Sequence, residues 1–122
     1  MIKRDVVAIG CSAGGVEALP RVLLQLPAEL PAAVLIVQHL ASAEPRYLAG
    51  LLDRRANIEV GWAEQGAPIV HGRAYVAPPD AHLLVADGHV LLSGGAREQH
   101  ARPSIDKTFR SVADAYSMTC VA

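Results

Sequence analysis

Apolar residues in this chain fall alternately into short unbroken runs and into helical spacings. Val6 to Ile9 is β-branched and almost wholly apolar, the pattern of a strand buried on both faces of a parallel sheet. Three glycines break it between Gly10 and Gly15. From Gly15 to Leu26 the residues Val16, Leu19, Leu23 and Leu26 recur on one helical face. Pro20 lies inside that pattern, where it removes a backbone donor and crowds the preceding turn, so a kink or a short first helix is expected. Ala33 to Val37 is a second fully apolar run, closing at Gln38-His39-Leu40. Pro45 to Arg55 reads as a helix with proline in its first turn and Leu48, Leu51 and Leu52 facing inward. Ile58 to Ala63 is a third expected strand.

The texture then changes. Ile69 to Ala77 and His82 to Ser93 hold short strands separated by turns. Asp87-Gly88 between two apolar runs marks a two-residue hairpin, because that turn requires positive φ. This stretch predicts an antiparallel excursion beside the parallel sheet. Gly94 to Pro103 is polar loop, and Ser104 suits an N-cap, since its side-chain oxygen accepts from an otherwise unpaired amide of the next turn. Ile105, Phe109, Val112, Ala113 and Tyr116 recur on one helical face, and Met118 to Ala122 opens another apolar run at which the sequence stops. The alternation predicts an α/β fold with a mostly parallel sheet and a β-hairpin excursion. The unfinished last run predicts an incomplete copy of the domain, a fragment or a decayed one. There is no internal repeat and no low-complexity segment.

Composition narrows the classes. A chain of 122 residues suggests one domain, large enough to bury roughly two-thirds of its unfolded surface. The apolar fraction is 52% but the aromatic fraction only 4%, so the core is aliphatic. Net charge is -1 with both signs scattered, and without a basic stripe a nucleic-acid partner is not expected. No apolar run reaches the ~18 residues of a membrane span, which argues against membrane insertion. Met-Ile-Lys-Arg-Asp at the start is too short and too charged for a secretory signal. Cys11 and Cys120 lie far apart without metal-ligand spacing, and read as reduced, buried thiols of a cytoplasmic protein.

The candidate chemistry sits where the first two runs end. Gly10-Cys11-Ser12-Ala13-Gly14 fits G-x-S-x-G, in which a sharp turn between strand and helix presents a serine hydroxyl at the carboxyl edge of a sheet. Gly10 and Gly14 would admit the strained backbone, and amides around Ala13 and Gly14 at the start of the helix would stabilise an oxyanion. His39 closes the second run as Ser12 closes the first. If these strands are parallel neighbours, their carboxyl ends lie roughly 5 Å apart, within side-chain reach of each other. Ser12 is therefore read as nucleophile and His39 as general base of an ester- or amide-cleaving site. The loop does not fit the dinucleotide pattern, since Ser12 stands at the second glycine, and no Gly-Lys-Ser/Thr is present. His71, His82, His89 and His100 are read as structural, each isolated and without the partner spacing of a metal site.

At Ile9 to Gly15 and Val37 to Leu40 the chain resembles the catalytic domain of the CheB-type chemotaxis protein-glutamate methylesterases. Gly72 to His82 is similar to the family's G-x-x-Y-x-A-P-x-D-x-H segment, and Arg102 to Asp106, followed by Phe109 and Ser111, to its R-P-S-x-D segment. The resemblance implies a doubly wound α/β domain without metal or organic cofactor. It implies hydrolysis of glutamyl methyl esters and deamidation of glutamines on methyl-accepting chemoreceptors, as part of phosphorelay signal transduction. It carries the nucleophile onto Ser12 and the base onto His39.

Two departures accompany it. The receiver domain that precedes the esterase in the family's usual members has no counterpart, so residues 1–122 are expected to be a catalytic domain alone. No residue matches the triad aspartate or the nearby oxyanion methionine, which in the family follow the strand that begins here at Met118. Asp106, in the first turn of an expected helix, and Asp80, after two prolines, have structural explanations and are not assigned to the triad. Neutralising the triad acid in a serine protease lowers turnover about 10⁴-fold, roughly 5.5 kcal/mol of barrier, so a nearly inactive chain is expected. The competing readings are a non-catalytic interaction module that keeps the substrate groove, and, below it, a phosphate- or nucleotide-binding domain built on Gly10 to Gly15.

Overall fold

The computed structural model describes residues 6–11, 18–38, 48–78, 81–94 and 105–116. They form nine elements in the order β1 (Val6–Cys11), α1 (Ala18–Leu24), β2 (Ala33–Gln38), α2 (Leu48–Arg55), β3 (Glu59–Trp62), β4 (Arg73–Val76), β5 (His82–Ala86), β6 (His89–Ser93) and α3 (Ile105–Tyr116). Four strands make a parallel sheet in the order β1-β2-β4-β3, and β5 and β6 pair as a separate antiparallel hairpin. This is the α/β architecture with a hairpin excursion that the hydrophobic pattern predicts.

The centre of the sheet is buried on both faces, and β2 shows why its sequence lacks alternation. Ala33, Leu35 and Val37 face one core with Val6, Ala8, Tyr75 and Ala77, under the hairpin and α3. Val34 and Ile36 face the other core, which α1 and α2 cover through Leu19, Leu23, Ala49 and Leu52. All five of these β2 residues are fully buried. A central strand with helices on one side and a hairpin plus helix on the other has no solvent face to make polar.

Proline and polar side chains fix the element ends. Pro20 is the third residue of α1, so its missing N–H falls among the amides that have no acceptor within the helix. The outcome is a short helix, ending before Leu26. Asn57 then donates through Nδ2 to the carbonyls of Leu24 and Leu26 at 2.9 and 3.2 Å, tying the end of α1 to the turn after α2. On the outer edge of β3, Asp53 Oδ1 accepts from the Val60 amide at 2.9 Å, closing a donor that would otherwise invite another strand. The β5–β6 turn has Asp87 at φ 52° and Gly88 at φ 74°, the two left-handed residues that its sequence signals.

Several boundaries move. The expected strand at Ile58 to Ala63 narrows to Glu59–Trp62, and in Ile69 to Ala77 only Arg73–Val76 is strand. Ile69 instead donates its amide to Gly88, and Val70 donates to the Tyr75 hydroxyl, which donates to Pro68. Ala113, expected on the buried face of α3, is exposed. Ser104 and the apolar run from Met118 lie outside the described residues. Among the described residues no helix is long and apolar enough to cross a membrane.

Candidate active site

β1 and β2 run parallel with no stagger over their whole length, from Val6 opposite Ala33 to Cys11 opposite Gln38. Their carboxyl ends are therefore flush. Ser12 and His39 are the next residue of each strand's sequence. Ser12, Ala13, Gly14, His39 and Asp80 lie outside the described residues. What the structure adds is the pairing on which their approach depends: the strands are direct hydrogen-bonded neighbours, and β4 continues the same edge beyond β2.

Gly10 has a different reason than expected. It is an extended residue of β1 opposite Val37 and is not among the glycines with positive φ. A methyl group in its place would stand 2.5 Å from Cγ2 of Ile105 and 3.1 Å from both Cγ1 and Cδ1. The glycine is thus required by the close seat of the first residue of α3, not by a strained φ.

α3 is held in that seat by hydroxyls. Thr108, fully buried, donates through Oγ1 to the Leu83 carbonyl at 2.6 Å. Ser111 Oγ accepts from the Val85 amide at 3.2 Å and donates to the Thr108 carbonyl at 2.9 Å. The amides of Val90 and Leu92 bond away from β5, to Ala67 and to Gln65 Oε1, so Leu83 and Val85, their partners in register, turn their own polar groups outward toward α3. Two helix side chains thus serve where a third strand would pair. Sequence reasoning passed over Thr108. The signal was a polar residue among the apolar positions of a helix, which when buried calls for an acceptor on the neighbouring element.

The other candidates separate. Asp106 is the second residue of α3. His82, first in β5, is fully buried, whereas His71 and His89 are exposed, and His89 Nδ1 lies 2.7 Å from the Asp87 carbonyl oxygen. Among the described residues no three His, Cys, Asp or Glu side chains gather as a metal site would need. A hollow of about 280 Å³ runs along β3 and β4, lined by Glu59, Trp62, Arg73 and Tyr75 among others, with β2 between it and β1. Beside it Arg73 and Glu59, opposite each other in register, form a two-bonded ion pair at 3.0 and 3.1 Å. The guanidinium holds the Glu59 carboxyl below its ordinary range, and the carboxylate raises Arg73 in turn. The pair is exposed and stands apart from the carboxyl ends of β1 and β2.

Comparison with known proteins bears on the whole chain. The family described as CheB methylesterase matches residues 7–122. A protein-glutamate methylesterase/protein-glutamine glutaminase of Symbiobacterium thermophilum is 44% identical over 112 residues, 91% of this chain and 31% of that protein. One of Methanosarcina acetivorans is 35% identical over 98% of this chain and 36% of its own length. The chain spans about a third of the length of these relatives. Among solved structures, the Thermotoga maritima CheB methylesterase catalytic domain superposes with a TM-score of 0.88 at 31% identity, over 98% of this chain and 65% of that one. The fold is thus that of an incomplete α/β domain.

Proposed function

The chain belongs to the CheB methylesterase family, and from that premise we propose that it carries the nucleophile and base of a serine hydrolase acting on glutamyl methyl esters, and on glutamine amides, of chemoreceptors. The observation that carries this reading is the flush pairing of Cys11 with Gln38. Parallel strands lie about 4.8 Å apart, and each next Cα is within about 3.8 Å along the chain, so Ser12 and His39 start from neighbouring points on one edge. Ligands of open α/β sheets bind at that edge.

In the proposed reaction the Ser12 hydroxyl adds to the ester carbonyl carbon while His39 takes its proton. Amides of Ala13 and Gly14 stabilise the oxyanion. Collapse breaks the bond to the methoxy oxygen, which leaves as methanol with the proton from His39. Water, deprotonated by His39, then cleaves the acyl-serine to the glutamate carboxylate. With glutamine the leaving group is ammonia. No metal and no cofactor enters these steps. Residues 1–122 act as one catalytic unit, in the cytoplasm, where thiols such as Cys11 and Cys120 stay reduced. No carboxylate within them is assigned as the acid behind His39, so turnover by this chain is expected about 10⁴-fold below that of a complete triad.

The test is a fluorophosphonate probe, with the adduct located by mass spectrometry. Slow modification of Ser12, abolished in Ser12→Ala and further slowed in His39→Gln, is the expected result. A chain that binds receptor peptide but never labels at Ser12 overturns the hydrolase and leaves an interaction module. Saturable nucleotide binding at the Gly10 to Gly15 loop overturns both.

A further inference from the structure

We infer that Ile105 is a positioning residue for the end of β1, and through it for Ser12, the next residue of the chain. This rests on the reading of Ser12 as nucleophile. Most core side chains touch other side chains, which can shift without moving a backbone. Ile105 differs because Gly10 has none to offer. Its Cγ2 occupies the space where a Gly10 methyl would stand, so the side chain bears on the main chain of β1 itself. Gly10 is two residues before Ser12 and is opposite Val37 of β2. The main chain there is held by β2 at its side and by α3 on its face.

The seat is fixed from behind. Thr108 and Ser111 bind α3 to the outer edge of β5, and Val112 is buried in the same core as Val6, Ala8 and Leu83. α3 therefore cannot slide along the sheet without breaking bonds to a second element. On the other face of β1, Ile9 packs against the α1–α2 core. The end of β1 is thus braced on both faces and along one edge. Displacement of this segment would matter to a nucleophile, since misplacing reacting atoms by 1 Å costs about 10²-fold in rate.

The experiment compares Gly10→Ala, Ile105→Ala, the milder Ile105→Val and the double variant Gly10→Ala/Ile105→Ala. Val60→Ala, in the opposite core, serves as the control for stability alone. Three quantities are read on each: melting temperature, amide hydrogen exchange at Gly10 and Cys11, and the rate of fluorophosphonate modification at Ser12. Ile105→Ala is expected to speed exchange at Gly10 and Cys11 beyond its effect on the rest of the sheet, with Ile105→Val doing so less. Val60→Ala speeds exchange evenly for the same loss in melting temperature. Gly10→Ala and Ile105→Ala each slow labelling by about tenfold to 10²-fold. The double variant recovers most of that loss, because the added methyl fills the space the isoleucine leaves. Effects on exchange and labelling that merely follow melting temperature across all variants, Val60→Ala included, overturn the proposal. So does a double variant no better than the worse single one. If the parent chain does not label at Ser12, the nucleophile reading fails, and the exchange comparison alone still decides the role of Ile105.

Discussion

Replacing Thr108 by valine tests whether side-chain hydroxyls hold α3 to the hairpin. The exchange keeps shape and removes only the donor. Thr108 and Leu83 are both fully buried, and the bond between them is 2.6 Å. The Leu83 carbonyl cannot turn to β6, because its register partner Leu92 directs its amide to Gln65. Valine therefore strands a buried acceptor, which costs about 1–3 kcal/mol rather than the smaller net value of an average hydrogen bond. For a chain of this size that lowers the melting temperature by roughly 4–12 °C. Thr108→Ser keeps the donor and loses one methyl, about 0.8 kcal/mol of transfer. Urea denaturation followed by circular dichroism measures both, and an unchanged m-value confirms that the same surface unfolds. A valine variant as stable as the parent, or more stable than the serine variant, refutes the claim that the hydroxyl carries the attachment.

The same contacts set three further outcomes. Asn57→Ala frees the Leu24 and Leu26 carbonyls at the end of α1 and should cost about 0.5–1.5 kcal/mol in the same assay, at the low end because the site is exposed to water. Gly88→Val places a β-branched residue at φ 74° and should destabilise the hairpin by about 1–2 kcal/mol, whereas Asp87→Asn, at φ 52°, should be close to neutral. Glu59, held down first by its hydrogen bonds to Arg73 and then by the charge, should titrate below the ordinary value of 4.5 when followed by NMR, and return toward it in Arg73→Gln. The depressed carboxyl contributes stability above the ordinary value, and that contribution is lost as pH falls through the folded one. Being exposed, the pair leaves the melting temperature almost unchanged between these pH values.

Much of the fold was legible because burial on two faces and the hairpin turn leave local marks. Ala33 to Val37 is apolar throughout since each residue meets one core or the other, and Asp87-Gly88 announces φ values that few other pairs adopt. What escaped depends on neighbours distant in sequence. Counting apolar residues placed Ala113 on the buried face of α3. At about 100° per residue it sits about 70° from the centre of the stripe set by Ile105, Phe109 and Val112, on the flank away from β5, and it is exposed. Thr108 and Ser111 lie on the stripe's other flank, the flank toward β5, so polarity there reflects an acceptor on another element. Gly10 was legible as a necessary glycine but not for its reason, since a nucleophile-elbow pattern and a close helix contact both demand a missing side chain. Ser12 and His39 were read as a pair from the ends of two apolar runs, and the structure bears on the pairing of the strands that precede them. Pattern alone does not fix register, and the flush ends of β1 and β2 depend on the packing of β2 in two cores.

The hairpin is therefore more than an excursion from the sheet. A two-stranded ribbon is marginal by itself, and this one is supported on both edges. On the β6 side Gly66 and Ile69 donate to Val90 and Gly88, Val90 donates back to Ala67, and Gln65 accepts from Leu92 at 2.7 Å. On the β5 side are the two hydroxyls of α3. The connection from β3 to β4 thus fixes the hairpin, the hairpin fixes α3, and Ile105 of α3 bears on the main chain of β1. Each link is a direct contact, so loosening at one end should be felt at the other. Gln65→Ala, which leaves α3 and β1 untouched, should raise amide exchange at Val85 before it does so at Val34. That order separates a series of attachments from a core that loosens uniformly, in which both amides would respond together.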